Sequence, residues 1–320
     1  MLFLFTATAT AADRVVVIPL GGTVGTATAA DVVKGKTFSS KAAGKGVIGT
    51  LKFRDGAKLY TNTIGMEFSL IPAGTFVMGS PDGTGDTDHP PIQARELGRV
   101  WIENQHIVTL TKSYYMQTTE VTQGQWKVVM GNNPSEFSSC GNDCPVEKVS
   151  WDDAQNFIDA LNAREGRSNC HSTPNTCYAM PTEAQWEYAA RGGTITAFYN
   201  GPITNTDCND PNLDAIAWYC GNADEKTHPV AQKAANAFGL YDMSGNVYEW
   251  CQDRFDLDNQ TYPYNSVTDP VGPVSGRRRI MRGGSFYARA WQERSASRSY
   301  DPQDSNSSID GFRLVLHTGQ

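Results

Sequence analysis

The sequence predicts an α+β protein, irregular and loop-rich, with a small β-rich N-terminal module ahead of one large domain. Three observations predict it. The 320 residues include 30 Gly and 16 Pro, enough to break regular structure repeatedly with turns. The 13 Tyr, 13 Phe and 7 Trp supply a bulky aromatic core, and 39% hydrophobic against 19% charged residues separates the chain from disordered polypeptides. Three segments carry helix-start signals, while others alternate apolar and polar residues as strands do.

Taken in order, residues 1–12 are apolar and end in small residues, the pattern of a signal peptide cleaved before Asp13. Residues 13–61 form the leader module, rich in Gly, Ala, Thr, Val and Lys, with short alternating runs at 15–18 and 47–53. From Gly65 the character changes to a continuous domain. A first helix is expected from Thr122, capped with the help of Gln125, burying Trp126, Val129 and Met130 and stopping at Gly131. A second starts at Ser150, where Trp151, Ala154, Phe157, Ile158 and Leu161 recur at helical spacing. Asp152 and Asp153 in its first turn suit the helix dipole. A third follows Pro181 with Thr182 and Gln185 as a capping box, packs Trp186, Tyr188 and Ala189, and ends at Gly192 and Gly193.

Charge excludes one class of partner. The 27 Lys plus Arg against 34 Asp plus Glu leave a net charge of -7, so no nucleic-acid partner is expected. No apolar run of about 18 residues is present, so no transmembrane span is expected. Six of the seven cysteines form close pairs: Cys140 with Cys144, Cys170 with Cys177, and Cys208 with Cys220. Metal binding is the rival reading, but C-x-x-C spacing is absent and the five histidines are scattered. Disulfides are favoured, which together with the signal peptide places the protein outside the cytoplasm: secreted, periplasmic or on the cell surface. Cys251, between aromatics, reads as a buried apolar thiol.

Several segments are more specific together than any one alone. They are Gly65-Met-Glu-Phe-Ser-Leu-Ile-Pro-Ala-Gly-Thr-Phe-Val-Met-Gly79, Pro145-Val-Glu-Lys-Val-Ser-Trp151, Met180-Pro-Thr-Glu-Ala-Gln-Trp-Glu-Tyr-Ala-Ala-Arg191, Asn236-Ala-Phe-Gly-Leu-Tyr-Asp-Met-Ser-Gly-Asn-Val-Tyr-Glu-Trp250, Arg282-Gly-Gly-Ser285 and Gly311-Phe-Arg313. In that order they closely resemble the formylglycine-generating enzyme family, also called the sulfatase-modifying factor domain, over residues 62–316. The resemblance implies a C-type-lectin-like fold. It also implies structural calcium (Ca2+), held by Asp242, the carbonyls of Gly245 and Val247, and Glu249; oxygen ligands are what this hard cation takes.

The oxidases of this family bind copper through two cysteines a few residues after the Gly-Gly-Ser motif, soft ligands suited to Cu(I). The matching stretch here, residues 283–298, holds no cysteine, and Ala288 stands about where the first should be. No copper is therefore expected. The iron-dependent branch needs a histidine cluster that the residues ahead of the domain do not carry. What remains is a non-catalytic lectin-like scaffold binding a protein or glycan ligand through the C-terminal segment 286–308. Tyr287, Arg289, Trp291 and Tyr300 are its candidate ligand-binding residues, since aromatics and arginines dominate binding hot spots. Arg282, Arg294 and Arg313 are expected to be buried structural donors. Two alternatives stand beside this reading: a formylglycine-generating oxidase acting on a sulfatase cysteine, and a variable binding protein diversified by a retroelement, against which Trp291, Gln292 and Gln303 count because adenine replacement in Asn codons does not yield them.

Overall fold

The computed structural model describes residues 50–54, 57–83, 94–167, 170, 176–256 and 265–317. The expected signal peptide (1–12) and most of the leader module lie outside the described residues.

One six-stranded sheet organises the chain. It joins β1 (Thr50–Arg54), β2 (Ala57–Thr61), β3 (Glu67–Ile71), β6 (Tyr114–Gln117), β13 (Val315–His317) and β7 (Tyr178–Ala179), in that spatial order. β2 pairs antiparallel with β3, Tyr60 opposite Phe68, so the sheet runs across the boundary expected at residue 62. The two-residue side-chain period of a strand sends neighbours to opposite faces. Leu314 and Leu316 join one core with Phe68, Trp126 and Phe157, while Val315 between them joins a second with Tyr114, Trp186 and Ile280.

Each face is covered by the helices the sequence announced. α1 (Gln123–Met130) begins at Thr122, whose hydroxyl accepts from Gln125 N in a reciprocal capping box, and ends at Gly131 with φ 79°. α2 (Trp151–Arg164) begins at Ser150, closed by Asp153 in the same way. These two meet in the first core, where the Trp126 and Phe157 rings stack at 5.4 Å and Phe312 stands edge-on to both. α3 (Glu183–Arg191), capped by Thr182 and Gln185 and ended by Gly192, places Trp186 and Ala189 in the second core. A Ser, Thr or Asp cap is worth about 1 kcal/mol, which matters for helices of eight to fourteen residues.

Two smaller sheets complete the domain: β4 (Gly74–Met78), β5 (His106–Leu110) and β9 (Val267–Thr268), and the four-stranded β11 (Ser299–Pro302), β10 (Arg278–Arg282), β8 (Tyr248–Phe255) and β12 (Asp310–Gly311). β8 lies between β10 and β12 and is buried along most of its length. A short helix, α4 (Pro211–Asp214), is an element the sequence reading did not find. Asp210 caps it, accepting from Asn212 N and Leu213 N, and Pro211 occupies its first turn. That signal was readable, but it sits among so many Asn, Asp and Pro that it looks like loop.

All three cysteine pairs form disulfides, and Cys251 is free and buried. Intact-mass alkylation in denaturant is therefore expected to label one thiol without reductant and seven after reduction; labelling all seven without reductant would contradict the pairing.

Candidate functional site

The segment after β10 is positioned by buried polar groups. Gly283 and Gly284 have φ of 94° and 75°, open to glycine and costly for other residues. At Gly284 an added Cβ would collide with the carboxyl of Glu293, so the chain folds back directly onto that side chain. Glu293 is fully buried, accepts from Ser285 N at 3.0 Å, and burial pushes its carboxyl well above the usual range. Ser244 Oγ donates to Glu293 O, and Phe286 N donates to Asn246 O at 2.8 Å. The loop at 242–249 and the segment 283–293 are therefore one packed unit.

From there the side chains alternate. Tyr287 is 63% exposed, Ala288 5%, Arg289 is exposed and Ala290 is fully buried. Arg289 pairs with Asp207 at 3.0 Å in a solvated ion pair, worth at most about 1 kcal/mol. Residues 290–292 form a 3-10 turn, and Ala290 N and Trp291 N donate to the carbonyls of Asp207 and Thr206. Trp291 is half-buried against a third core containing Phe198, Leu213 and Tyr219. It also lines a cavity of about 530 Å3 with residues 95–100 and Thr206. Tyr300 does not join these residues. On β11 it lies opposite Ile280, stacks on Phe255 at 3.9 Å and packs into the second core. Tyr287, Arg289 and Trp291 thus lie in one stretch of chain, and Tyr300 lies apart from them on β11.

One wall of that cavity comes from a loop that sequence reasoning did not connect to it. Arg294, fully buried, donates from Nε to Trp291 O, from Nη2 to Gly98 O and Glu103 Oε1, and from Nη1 to Glu96 Oε1 and Glu103 Oε2, all between 2.6 and 2.9 Å. A Cβ at Gly98 would lie 2.5 Å from Trp291 Cβ, so the backbone there needs glycine both for its φ of 78° and for the contact.

The residues expected to hold calcium are placed differently. Asp242 is fully buried, has φ 54°, accepts from Ala231 N through Oδ2 and leaves Oδ1 with no hydrogen-bond partner. Burial raises its carboxyl to about 6. Glu249 is already occupied. Arg313 bonds its Oε1 at 2.6 Å and its Oε2 at 2.7 Å, and Trp186 Nε1 donates to Oε2 at 2.7 Å. The Arg313 guanidinium thus competes with any calcium ion for Glu249, whereas Asp242 keeps one carboxyl oxygen unengaged. Among the described residues no group of three His, Cys, Asp or Glu side chains has metal-binding geometry. Glu120 sits beside this cluster, buried with neither carboxyl oxygen partnered; burial first, then the Asp242 charge, pushes it well above the usual range.

A second buried network surrounds α3. Arg282 pairs with Glu183 and Glu187, Arg191 with Glu187, and Arg298 with Glu183 through both oxygens. Asp253 accepts from Glu183 N at 2.8 Å, and burial, aided by the Glu183 charge, raises it to about 7. The thiol of Cys251 is pushed up by burial and is no nucleophile as placed.

The comparisons agree with this architecture. The family model described as "Sulfatase-modifying factor enzyme 1-like domain" matches residues 57–318, and the chain belongs to that family. The "Chaperone protein LppX" of Paenibacillus barcinonensis is 36% identical over 185 residues, 45% of this chain and 63% of that protein. The "Formylglycine-generating enzyme" of Streptomyces coelicolor is 34% identical over 188 residues, 53% of this chain and 52% of that protein. The chain thus spans less than two thirds of the length of these relatives. Among solved structures, "Treponema denticola variable protein 1" superposes with TM-score 0.66 at 30% identity, covering 82% of this chain and 99% of its own. "PvdO from Pseudomonas aeruginosa" superposes with TM-score 0.64 at 24% identity, covering 81% and 97%, a likeness of fold.

Two outcomes are expected. Glu249→Gln should cost roughly 3–5 kcal/mol by leaving Arg313 buried without its main partner, and to the same extent in EGTA and in calcium; a loss confined to calcium-containing buffer would restore Glu249 as a ligand. Asp253 carries a folded value near 7 against an ordinary 3.8, so its protonated form contributes stability that is present below about 4 and lost as pH rises through about 7. Scanning calorimetry between pH 4 and 8 should show Asp253→Asn gaining on the unmodified protein as pH rises, and a constant difference would refute the assignment.

Proposed function

We propose, taking membership of the sulfatase-modifying factor family as the premise, that this chain is an exported recognition protein and carries no formylglycine-generating activity. The observation that carries the reading is the alternation at 287–290. The position matching an oxidase cysteine is Ala288, buried and without a metal-binding atom, while its neighbours Tyr287 and Arg289 face solvent. Copper chemistry needs a pair of soft ligands in one place. The single free thiol among the described residues, Cys251, belongs to the second core, whereas Ala288 belongs to the first.

Recognition is supported by what the surface offers. Tyr287, Arg289 and Trp291 are the residue types that dominate hot spots, and Trp291 borders a cavity of small-molecule size. The three disulfides support export, since such bonds persist in oxidising compartments. The likeness to a protein called a variable protein favours a role in binding in which the exposed positions of this segment set the partner.

Two measurements test the reading. Copper-loaded protein incubated with a sulfatase-motif peptide should produce no formylglycine by mass spectrometry; robust conversion would overturn the proposal in favour of the oxidase. Peptides selected by display against the unmodified protein should lose about tenfold in affinity on Tyr287→Ala or Arg289→Ala, and Val271→Ala, an exposed apolar site outside the segment, should leave them bound. Affinity unchanged in both of the first two variants would sink the recognition surface.

A further inference from the structure

The cavity beside Trp291 has a chemical character of its own. It is an open cleft rather than an enclosed chamber, and its volume of about 530 Å3 lies in the range of small-molecule sites. Leu97, Val100 and Trp291 give it an apolar lining, and Arg95 and Arg99 supply its cations. Its one lining carboxylate, Glu96, is engaged elsewhere: Oε1 accepts from Arg294 Nη1 at 2.6 Å and the side chain is 8% exposed. Arg99 is held by Ser80 O at 3.0 Å and Asn104 Oδ1 at 3.3 Å, leaving Nη1 without a partner among the described residues. Arg95 is exposed and makes no hydrogen bond or ion pair among the described residues.

The charge count is specific. Among its lining residues, Arg95 and Arg99 against Glu96 leave one positive charge, in a chain whose net charge is -7. The walls are also fixed in advance, because Arg294 bonds the carbonyls of both Gly98 and Trp291. Binding therefore need not order them, which lowers its cost.

We propose that this cavity binds a carboxylate carried on an apolar body, the carboxylate at Arg95 and Arg99 and the body against Leu97, Val100 and Trp291. A guanidinium fork matches a planar carboxylate, and one negative charge balances the one residual positive charge. A phosphate monoester, with about two negative charges near neutral pH, exceeds it. The assignment rests on the recognition reading of this surface and adds the ligand class. The same chemistry is offered by a free organic acid and by the C-terminus of a peptide ending in an apolar residue.

The test is saturation-transfer NMR titration of the disulfide-intact chain with 3-phenylpropionate, its neutral amide, and acetyl-Gly-Phe as the free acid. The acid should bind with a Kd on the order of millimolar and the amide about fivefold more weakly, the modest ratio reflecting solvent at Arg95. Arg95→Gln, an exposed position that leaves the core intact, should weaken the acid about fivefold and leave the amide unchanged. Tighter binding of acetyl-Gly-Phe than of 3-phenylpropionate assigns the peptide C-terminus, and the reverse assigns the free acid; both uphold the site. Equal affinity for acid and amide, or no effect of Arg95→Gln, overturns it. Should selected peptides depend on Tyr287 while no acid binds, the cavity assignment alone fails; should the acid bind through Arg95 while no selected peptide depends on Tyr287, the wider recognition surface fails.

Discussion

A guanidinium removed from water must find a partner for every N–H it carries, and this fold is arranged around three that have been removed completely. Arg282, Arg294 and Arg313 are all fully buried. Arg294 spends all five donors on two carboxylates and two carbonyls drawn from residues 96–103 and 291. Arg313 bonds Glu249 through both oxygens and also the carbonyls of Gln117, Tyr241 and Asp242. Arg282 joins Glu183, Glu187 and Ser297 O. Such pairs are weak evidence of net stability, because desolvation offsets most of the attraction. Their geometric demand is what counts in a chain of short strands and long loops. A misplaced loop would leave a buried charge unmatched, at a cost of several kcal/mol.

That demand separates what holds the segment 283–298 from what faces outward on it. Glu293, Arg294 and Arg298, together with the Gly283-Gly284 turn, fix the path of the backbone from inside. Tyr287 contributes its ring, and Arg289 its guanidinium, to solvent and to one surface ion pair. Substitution at the outward positions removes almost nothing the fold needs. That tolerance follows from which side chains satisfy buried charges.

The parts of this architecture legible in the sequence are those governed by neighbours in the chain. Caps at Thr122, Ser150 and Thr182 act over three residues, and each helix begins where its cap stands. The disulfides close loops of 4, 7 and 12 residues, so spacing alone announced them. Position along the chain failed where the partner is remote. Tyr300 is close to Trp291 in sequence, but β11 returns along β10 and carries it onto Phe255. Nothing local to Glu249 announces that its carboxylate also meets Arg313, 64 residues on. The cavity wall at 95–100 meets Trp291 through contacts nearly 200 residues apart, which no local pattern signals.

The alternation at 287–290 gives one segment two kinds of position. The chain turns at 285–288, where Ala288 N donates to Ser285 O, and enters a 3-10 turn at 290, so the alternation is set by packing rather than by a strand. Ala288 and Ala290 face inward, into the first and third cores, and Tyr287 and Arg289 face outward. Alanine fills the small buried site at 288 and asks for no hydrogen bond. The backbone there, pinned by Glu293 and Arg294, presents Tyr287 and Arg289 to solvent.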